Sequence, residues 1–399
     1  MISRSLLLLL IGISAIGPLA LNGVLPANSA IMDELATRYG LAQLVLTVFL
    51  LASLISQLFL GPAADRHGRR PVMLASLAVF TVGSLLCAVA PSIEWLLAAR
   101  FMQGFGSAVC VFLPRTIVHD IFPRDRAASV IGYMTTAMML APMFGPAVGG
   151  WVTDELSWRY MYAGLALLGT GFILLSWRYQ PETQAVRSSH AAVDSSIRPT
   201  LWSAASVLLR QRMFIAYAIM LSGAVGVYYN FLAGAPYVAM ESRGLSASSY
   251  GAWFSMVAIG YLLGNLIAGH YSARIGVRRM IQLGLIPLFL GVALFWVFSN
   301  WHHPLALFIP MQIVAVSNGM SLPNLISGAM SVRPDLAASA SGLAGSLQTA
   351  VGVLLSIAVG YLLPFSDNWL FVLASLSLGL SLFGYWLASD NPESTATRH

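Results

Sequence analysis

The residues of this chain that could carry chemistry are polar or charged side chains inside long apolar segments. Arg100 is the clearest case, because it lies about seven residues into an apolar run that begins at Ile93. At a rise of about 1.5 Å per helical residue, this position is roughly 10 Å deep. A charge at that depth is energetically costly and marks a functional site by default. An arginine whose stem packs while its head reaches the membrane surface is the alternative.

Neutral polar, aromatic and thioether side chains in the other apolar runs are candidates for the wall of a ligand cavity. An amide can bind a ligand or a neighbouring helix, and both alternatives are open for Asn22, Gln103 and Asn230. Aromatic residues can line a cavity or simply pack helices, whereas thioethers suit varied apolar ligands. With Arg100, the full set of cavity candidates is Asn22, Gln103, Tyr133, Met138, Tyr229, Asn230, Trp253, Asn265 and Asn318.

Ionisable groups that could move a proton are scarce. None of the fifteen acidic residues lies in the middle of an apolar run. Proton coupling normally uses a carboxylate or a histidine whose protonation changes with conformation, which leaves Asp33, Glu34 and Asp120 at the ends of runs. The absence of lysine excludes a Walker A phosphate loop and a lysine Schiff base. Cys87 and Cys110 lack metal-ligand spacing, and we expect no metal site and no cofactor.

Composition explains why so few charges are found. Hydrophobic residues make up 58% of the 399 residues and charged residues only 9%, whereas a soluble domain carries about 25% charged residues. A helix needs about 20 apolar residues to cross a bilayer. We predict an all-α integral membrane protein with twelve transmembrane helices, at about 5–25, 41–61, 72–90, 93–114, 127–150, 157–177, 213–236, 250–271, 281–299, 304–324, 338–363 and 368–388.

The arginines orient these spans. If the N-terminus is cytoplasmic, 17 of the 21 arginines lie on the cytoplasmic side, three lie outside and Arg100 lies within a span. Because cytoplasmic loops are enriched in basic residues, we predict that both termini are cytoplasmic. The same bias accounts for the net charge of +6 without a soluble basic face, so we expect the lipid bilayer rather than a nucleic acid as a partner.

A single long polar segment divides the chain into related halves. We predict an N-terminal six-helix bundle at 1–178, a cytoplasmic linker at 179–212, a C-terminal six-helix bundle at 213–388 and a cytoplasmic tail at 389–399. The loops after spans 2 and 8 repeat each other at an offset of 208 residues, so that Gly68 corresponds to Gly276. A repeat at equivalent loops indicates two pseudo-symmetric bundles.

The loop after span 2 carries the clearest family pattern. It reads G-x-x-x-D-R-x-G-R-R from Gly61 to Arg70, which resembles the corresponding loop of the major facilitator superfamily. Asp65 and Arg69 are four residues apart and can share one helical face. The resemblance implies the major facilitator fold, in which these two residues join Asp120 in a charge cluster that holds the outward-closed state. The expected gating residues are Gly61, Asp65, Arg66, Gly68, Arg69, Arg70 and Asp120.

Two further motifs resemble those of drug:proton antiporters in this superfamily, especially the bicyclomycin-resistance and chloramphenicol-resistance subgroup. Span 4 contains R-x-x-Q-G-x-G from Arg100 to Gly106, and span 5 contains G-P-x-x-G-G from Gly145 to Gly150. Prolines in span 5 remove helical hydrogen bonds, and its glycines permit close helix approach, for which ordinary membrane packing is the alternative explanation. The expected antiporter motif comprises Pro142, Gly145, Pro146, Gly149 and Gly150.

One position departs from the subgroup pattern. The subgroup commonly has an aspartate before Y-L-P-A in span 1, but the matching stretch here begins with Asn22. The expected cavity therefore lacks a fixed negative charge and contains Arg100. We expect it to prefer neutral or anionic amphiphiles, such as chloramphenicol-like compounds, over lipophilic cations.

The resemblance thus implies a monomeric efflux transporter of the bacterial inner membrane that exchanges small molecules for protons by alternating access. A sugar or metabolite carrier of the same fold is the alternative within transport. A membrane-embedded enzyme would need a nucleophile, a base or a metal set converging at membrane depth. Acidic residues and histidines in the middle of the spans are missing, so we predict a secondary active transporter and not an enzyme.

Overall fold

The computed structural model describes residues 4–121, 124–183, 201–333 and 336–389. Within these ranges it leaves out the side chains at 4, 58, 61–62, 65, 119, 124–133, 135–137, 139–140, 201–204, 273 and 337–338. Several predictions fall outside the described residues. They are the roles of Gly61, Asp65 and Tyr133, the middle of the linker at 184–200 and the tail from 390.

Long α-helices account for most of the described chain. They are α1 (Arg4–Asn22), α2 (Tyr39–His67), α3 (Arg69–Ala88), α4 (Ile93–Ile121), α5 (Arg124–Glu155), α6 (Trp158–Tyr179), α7 (Arg212–Pro236), α8 (Ala247–Ile275), α9 (Val277–Val297), α10 (Leu305–Ser331), α11 (Ala337–Leu362) and α12 (Asn368–Ser389). Short helical segments lie at Leu25–Ala27, Asn28–Glu34, Leu201–Leu208, Tyr237–Ser242 and Leu363–Phe365.

These helices coincide with the predicted spans. In the described part of the chain, eleven helical segments are long and apolar enough to cross a membrane. The helix α5, with 32 residues, covers the remaining predicted span at 127–150. At about 1.5 Å per residue, each helix covers the hydrocarbon core of a bilayer, which is about 30 Å thick. The prediction of an all-α membrane protein is confirmed, with eleven candidate spans in the described residues and α5 at the position of the remaining predicted span.

The first span is longer than predicted. After α1 the chain forms a 3₁₀ turn at Leu25–Ala27, with Pro26 in its first positions, and then a helix at Asn28–Glu34. The apolar segment therefore runs from Ser5 to Glu34, with a break in the middle. Proline suits the first turn of a helix because its missing N–H has no partner there, which explains why the helix breaks and restarts at this point.

The chain divides into two compact units. The first contains Met1–Ser196 and Gly244–Ser255, and the second contains Ile197–Arg243 and Met256–His399. The first unit includes α1 to α6 and the second includes α7 and α9 to α12, while α8 begins in the first unit and ends in the second. The predicted bundle and linker boundaries stay a prediction.

In the first unit, α4 packs against α1, α2 and α3. Two glycines make the close approach possible. Gly104 lies against the backbone of Phe49 in α2, and Gly106 lies against the backbone of Phe80 in α3, so that a Cβ atom at either position would collide with backbone atoms. Both glycines belong to the R-x-x-Q-G-x-G motif, which therefore fixes how closely α4 packs and where Arg100 is held.

In the second unit, α7 packs against α10, α11 and α12. Almost all of α7 is buried from Leu221 to Pro236. The ring of Phe231 in α7 lies 6.2 Å from that of Phe295 in α9 and 5.8 Å from that of Phe308 in α10, measured between centroids. Aromatic pairs at this distance are favourable, so α7 is the core helix of its unit.

The predicted internal repeat is visible in the backbone. Gly68 separates α2 from α3 with φ 102° and ψ 155°, and Gly276 separates α8 from α9 with φ 83° and ψ 155°. Only glycine adopts such positive φ values routinely. The same unusual conformation at equivalent positions supports two related halves.

Candidate functional site

Arg100 is fully buried and forms hydrogen bonds with two neighbouring helices and with its own helix, α4. Its Nε donates to the carbonyl of Val45 in α2 at 3.1 Å, and its Nη1 donates to the carbonyl of Ala20 in α1 at 3.3 Å and to Gln103 Oε1 at 2.5 Å. Ala20 belongs to the last turn of α1, where carbonyls have no partner within the helix. The guanidinium of Arg100 therefore caps α1 and meets the negative end of its dipole.

Ring faces and a short hydrogen-bonded chain complete the surroundings of Arg100. Its Cζ lies 4.4 Å from the ring centroid of Phe49 and 5.7 Å from that of Tyr162, and both contacts are attractive. Gln103 Nε2 donates to Ser84 Oγ in α3 at 2.8 Å. No carboxylate among the described residues lies within ion-pair distance of Arg100. Among the described residues, dipoles and aromatic rings surround the guanidinium, and none of these groups carries a negative charge.

Tyr162 is a member of this site that the sequence reasoning missed. It lies in α6 and is fully buried, and no described residue forms a hydrogen bond with its hydroxyl. A buried hydroxyl without a partner is uncommon and costs about 1–3 kcal/mol. Beside Arg100, this hydroxyl offers a further donor to an oxygen atom of a ligand. Its position one helical turn after Trp158, in an otherwise apolar run, is the signal that could have identified it.

Asn22 ends α1 and is 3% exposed. Its Nδ2 donates to the carbonyl of Pro18 at 2.8 Å. Ala20, whose carbonyl binds Arg100, is two residues earlier on the same helix end. A neutral amide therefore lies at the end of α1 that Arg100 caps, which is where the subgroup pattern has a carboxylate.

Asn230 in α7 forms an interhelical hydrogen bond. It is 1% exposed, and its Nδ2 donates to the carbonyl of Leu370 in α12 at 2.8 Å, while its Oδ1 accepts from none of the described residues. The preceding residue, Tyr229, is partly buried, with its ring 6.1 Å from that of Tyr228. Of the two alternatives for Asn230, the structure contains the helix-to-helix bond, and a cavity role stays a prediction.

The other cavity candidates lie in α5, α8 and α10. Asn265 Nδ2 donates to the carbonyl of Tyr261 one turn earlier, at 3.1 Å. Asn318 is 1% exposed, and its Oδ1 has no hydrogen-bond partner in the part of the chain that the structure describes, whereas Trp253 is partly buried. Met138 accepts a hydrogen bond from an arginine in α4. Among the described candidates of the first unit, the structure joins Arg100 directly to Gln103, and the cavity itself stays a prediction.

A buried ion pair connects α3 and α4 at the predicted gating loop. Arg69 Nε lies 3.2 Å from Asp120 Oδ2, and the two side chains are 3% and 4% exposed. Arg70 Nη2 donates to the carbonyl of Trp177 at 2.6 Å, whereas the side chain of Arg66 is exposed. The structure thus brings Arg69 and Asp120 together, as the resemblance implied. Their role in gating stays a prediction.

Glu182 is a second residue that the sequence reasoning missed, and it anchors this loop. Its carboxylate accepts hydrogen bonds from the backbone amides of Arg69 at 2.9 Å and Arg70 at 3.2 Å. These amides begin α3, where N–H groups lack helical partners and the dipole favours an anion. A Cβ atom at Gly68 would collide with the carboxylate. The Pro181-Glu-Thr sequence after span 6 is the signal that could have identified Glu182.

The outer candidates for proton transfer differ in their contacts. Glu34 accepts hydrogen bonds from Trp158 Nε1 at 2.6 Å and from Arg159 Nε at 3.0 Å. Arg159 also donates to the carbonyl of Ala90 at 2.7 Å, so this cluster connects the segment after α1 with the end of α3 and the start of α6. Asp33 is exposed. Glu34 is therefore hydrogen-bonded to residues at the start of α6, at the end of the first unit that was predicted to face outward.

The glycines of the predicted antiporter motif pack α5 closely against neighbouring backbone. Gly145 and Gly149 lie against Gly23, directly after α1, and a Cβ atom at Gly149 would collide with the carbonyl of Gly23. Gly150 lies against the backbone of Ala247 in the same unit. The motif prolines inside α5 are Pro142 and Pro146. The motif therefore sets how closely α5 approaches the end of α1 that Arg100 caps.

Metal ligands do not cluster in the part of the chain that the structure describes. There, no group of three or more histidine, cysteine, aspartate or glutamate side chains could hold an ion. The candidate site consists of a buried guanidinium, amides, hydroxyls and aromatic rings. Such groups bind and orient a small molecule rather than transform it.

Comparisons with known proteins agree with this description. Residues 7–356 match the model of the Major Facilitator Superfamily. The uncharacterized MFS-type transporter YdgK of Bacillus subtilis (strain 168) is 30% identical over 361 residues, which cover 90% of this chain and 89% of that protein. Multidrug resistance protein D of Escherichia coli (strain K12) is 29% identical over 387 residues, which cover 96% and 95% of the two chains.

A solved structure shows the same fold. The partially occluded, inward-open xylose transporter XylE from E. coli matches with a TM-score of 0.73 at 14% identity, over 96% of each chain. At this identity the likeness shows the fold alone. The major facilitator fold that the loop motif implied is confirmed.

Proposed function

Because the chain belongs to the major facilitator superfamily, whose members are multi-pass membrane proteins that move small molecules, we propose that it exports small molecules in exchange for protons. Membership of a secondary-transporter family confirms that the chain is a transporter and not an enzyme. In alternating access, two bundles expose a central site to one side of the membrane at a time.

The observation that carries the proposed substrate preference is the buried, uncompensated charge of Arg100. Val45, Ala20 and Gln103 supply its acceptors, and all three are neutral. A lipophilic cation near this guanidinium meets repulsion in a medium of low dielectric constant. A neutral or anionic amphiphile with an oxygen acceptor gains a charge-assisted hydrogen bond instead. Chloramphenicol-like compounds are neutral molecules of this kind.

Two features support export rather than import. The G-P-x-x-G-G stretch resembles the antiporter motif, and its glycines hold α5 against Gly23 beside the Arg100 site. A relative that covers nearly the whole chain is named for multidrug resistance. The sugar or metabolite carrier is the weaker alternative, because the likeness to a xylose transporter rests on 14% identity and supports the fold alone.

Asp120 is the candidate that best fits proton coupling. Its carboxylate is buried against Arg69, and protonation would remove the negative charge from that pair. The released Arg69 lies at the start of α3, where Glu182 fixes the predicted gating loop. A proton on Asp120 would thus loosen the loop, whereas Glu34 is more exposed and Asp33 lies at the surface.

The proposed location is the bacterial cytoplasmic membrane, with both termini in the cytoplasm. The distribution of the 21 arginines supports this orientation. The relatives reported above are bacterial. A monomer suffices for function, since the fold contains both bundles.

Transport by purified protein in liposomes tests the proposal. Vesicles with an acidic interior and a neutral exterior provide the gradient, so that an antiporter accumulates its substrate inside. The panel contains chloramphenicol as a neutral compound, an aromatic carboxylate and the cation ethidium. We expect gradient-dependent accumulation of the first two and little of the third. Accumulation that persists when an ionophore collapses the gradient would contradict antiport, and efficient ethidium transport would contradict the selectivity.

A further inference from the structure

A second arginine lies inside α4, close to its inner end. Arg115 lies three residues before Val118, where the apolar part of this helix ends. Span 4 was predicted to stop at residue 114, but the helix continues to Ile121 and carries Arg115 with it. At about 1.5 Å per residue, the Cα atom of Arg115 is roughly 5 Å inside the end of the span.

Arg115 is partly buried, and its hydrogen bonds are poorer than those of Arg69 and Arg100, the two buried arginines described in its unit. Its Nη2 donates to the thioether sulfur of Met138 in α5 at 3.3 Å, and thioethers are weak acceptors. Its Nε is buried, and none of the described side chains or backbone atoms accepts a hydrogen bond from it. Arg69 has a carboxylate and Arg100 has three oxygen acceptors. Arg115 therefore has donors at membrane depth that no described oxygen atom accepts.

A guanidinium whose donors lack oxygen acceptors is well suited to bind an oxyanion. Its donors form a planar fork that matches the two oxygens of a carboxylate or phosphate. We propose that Arg115 binds an oxyanion, a carboxylate or a phosphate, at the inner end of α4. Two sources offer this chemistry at that depth. They are an anionic amphiphile that approaches from the cytoplasm and the headgroup of a phospholipid in the inner leaflet.

Met138 adds a second element of recognition. Its sulfur lies against the guanidinium, and polarizable thioethers pack well against aromatic rings. An aromatic carboxylate satisfies both side chains at once, with its oxygens on Arg115 and its ring on Met138. This substrate class rests on the proposed export function and adds to it a first binding point for anions, separate from Arg100.

Direct binding to the full-length protein tests the proposal without any transport step. The probes are 2-naphthoate and its uncharged amide, and affinity is measured by calorimetry in phosphatidylcholine nanodiscs. We expect Arg115→Met to weaken naphthoate binding about 10- to 100-fold, the range for a hydrogen bond to a charged group, and to change naphthamide binding less than about threefold. Arg115→Lys should retain part of the affinity. Arg178→Met, which removes an exposed arginine near the end of α6, is the matched control.

A second experiment tests whether the oxyanion bound by Arg115 is a phospholipid headgroup. Nanodiscs that also contain phosphatidylglycerol are compared by native mass spectrometry. If wild type retains phosphatidylglycerol and Arg115→Met does not, while both bind naphthoate with the same affinity, the oxyanion bound by Arg115 is the lipid headgroup. Equal naphthoate affinity and equal retained lipid in wild type and variant would overturn the proposal. Arg115→Gln repeats both measurements if the methionine variant does not fold. A failure of gradient-driven export leaves these binding results intact, so the two proposals fail separately.

Discussion

Arg69 and Arg100 are both buried in the first unit, at 3% and 1% exposure, but they are stabilised in opposite ways. Arg69 pairs with Asp120 at 3.2 Å. Arg100 binds two backbone carbonyls and Gln103, and two aromatic rings flank it. The first guanidinium is neutralised by a carboxylate, whereas the second keeps its charge.

The difference separates a structural role from a recognition role. A buried ion pair becomes strongly destabilising when one partner is removed, because the other charge is left without compensation. Removing Arg100 leaves no charge behind, since its acceptors are neutral. The pair formed by Arg69 and Asp120 should therefore control stability and gating, and Arg100 should control which ligands bind.

The largest expected effect follows from breaking the pair. Arg69→Met leaves the Asp120 carboxylate buried without its guanidinium, and we expect a loss of about 3 kcal/mol in the free energy of unfolding. Denaturant unfolding in detergent measures this loss. The double variant Arg69→Met/Asp120→Leu removes both charges and should recover most of the stability. A loss below about 1 kcal/mol in the single variant would show that the pair does not lock the loop.

The next effect concerns ligand binding. At the Arg100 site, which is separate from the binding point proposed at Arg115, Arg100→Met should lower the affinity for an aromatic carboxylate about 10- to 100-fold, because a hydrogen bond to a charged group is lost. Its cost in unfolding free energy should be only about 1 kcal/mol, mainly from the Gln103 oxygen that loses its donor. Arg100→Lys keeps the charge and serves as control. Equal affinity of wild type and Arg100→Met for the carboxylate would show that Arg100 does not bind the ligand.

The sequence predicted the spans well because apolar length alone decides whether a helix crosses a bilayer. The predicted span at 157–177 is the helix Trp158–Tyr179, and the predicted span at 368–388 is Asn368–Ser389. The end of span 4 was missed because Arg115 was assigned to the cytoplasm by its charge. The break after α1 was missed because hydropathy does not register a single 3₁₀ turn.

The contacts between distant segments were beyond what spacing could predict. Glu182 follows α6, yet its carboxylate binds amides more than 110 positions earlier in the chain, at Arg69 and Arg70. In the sequence, Tyr162 is an aromatic residue in an apolar run like many others. Only the structure shows that its ring lies beside Arg100. Periodicity assigns a residue to a helix face, but the neighbour of that face depends on how the helices pack.

A smaller effect is expected from adding a charge to the Arg100 site. Asn22→Asp places a carboxylate at the end of α1 that Arg100 caps, which makes the site resemble the compensated Arg69. We expect the ratio of ethidium to chloramphenicol transport to rise about tenfold, equivalent to about 1.4 kcal/mol, and to depend on pH. Asn22→Leu controls for the loss of the amide. An unchanged ratio in a folded variant would show that position 22 does not set the preference for charge.

The smallest effect is expected at the outer pair of Glu34 and Arg159, whose side chains are 45% and 29% exposed. Exposed pairs contribute about 0–1 kcal/mol because water screens them, so Glu34→Gln should change the free energy of unfolding by less than about 1 kcal/mol. Gradient-driven export should also persist, since the glutamine oxygen can still accept from Trp158. Loss of export in a stable Glu34→Gln protein would mean that a partly hydrated carboxylate at the outer end carries the proton. The buried pair of Arg69 and Asp120 would then retain only its structural role.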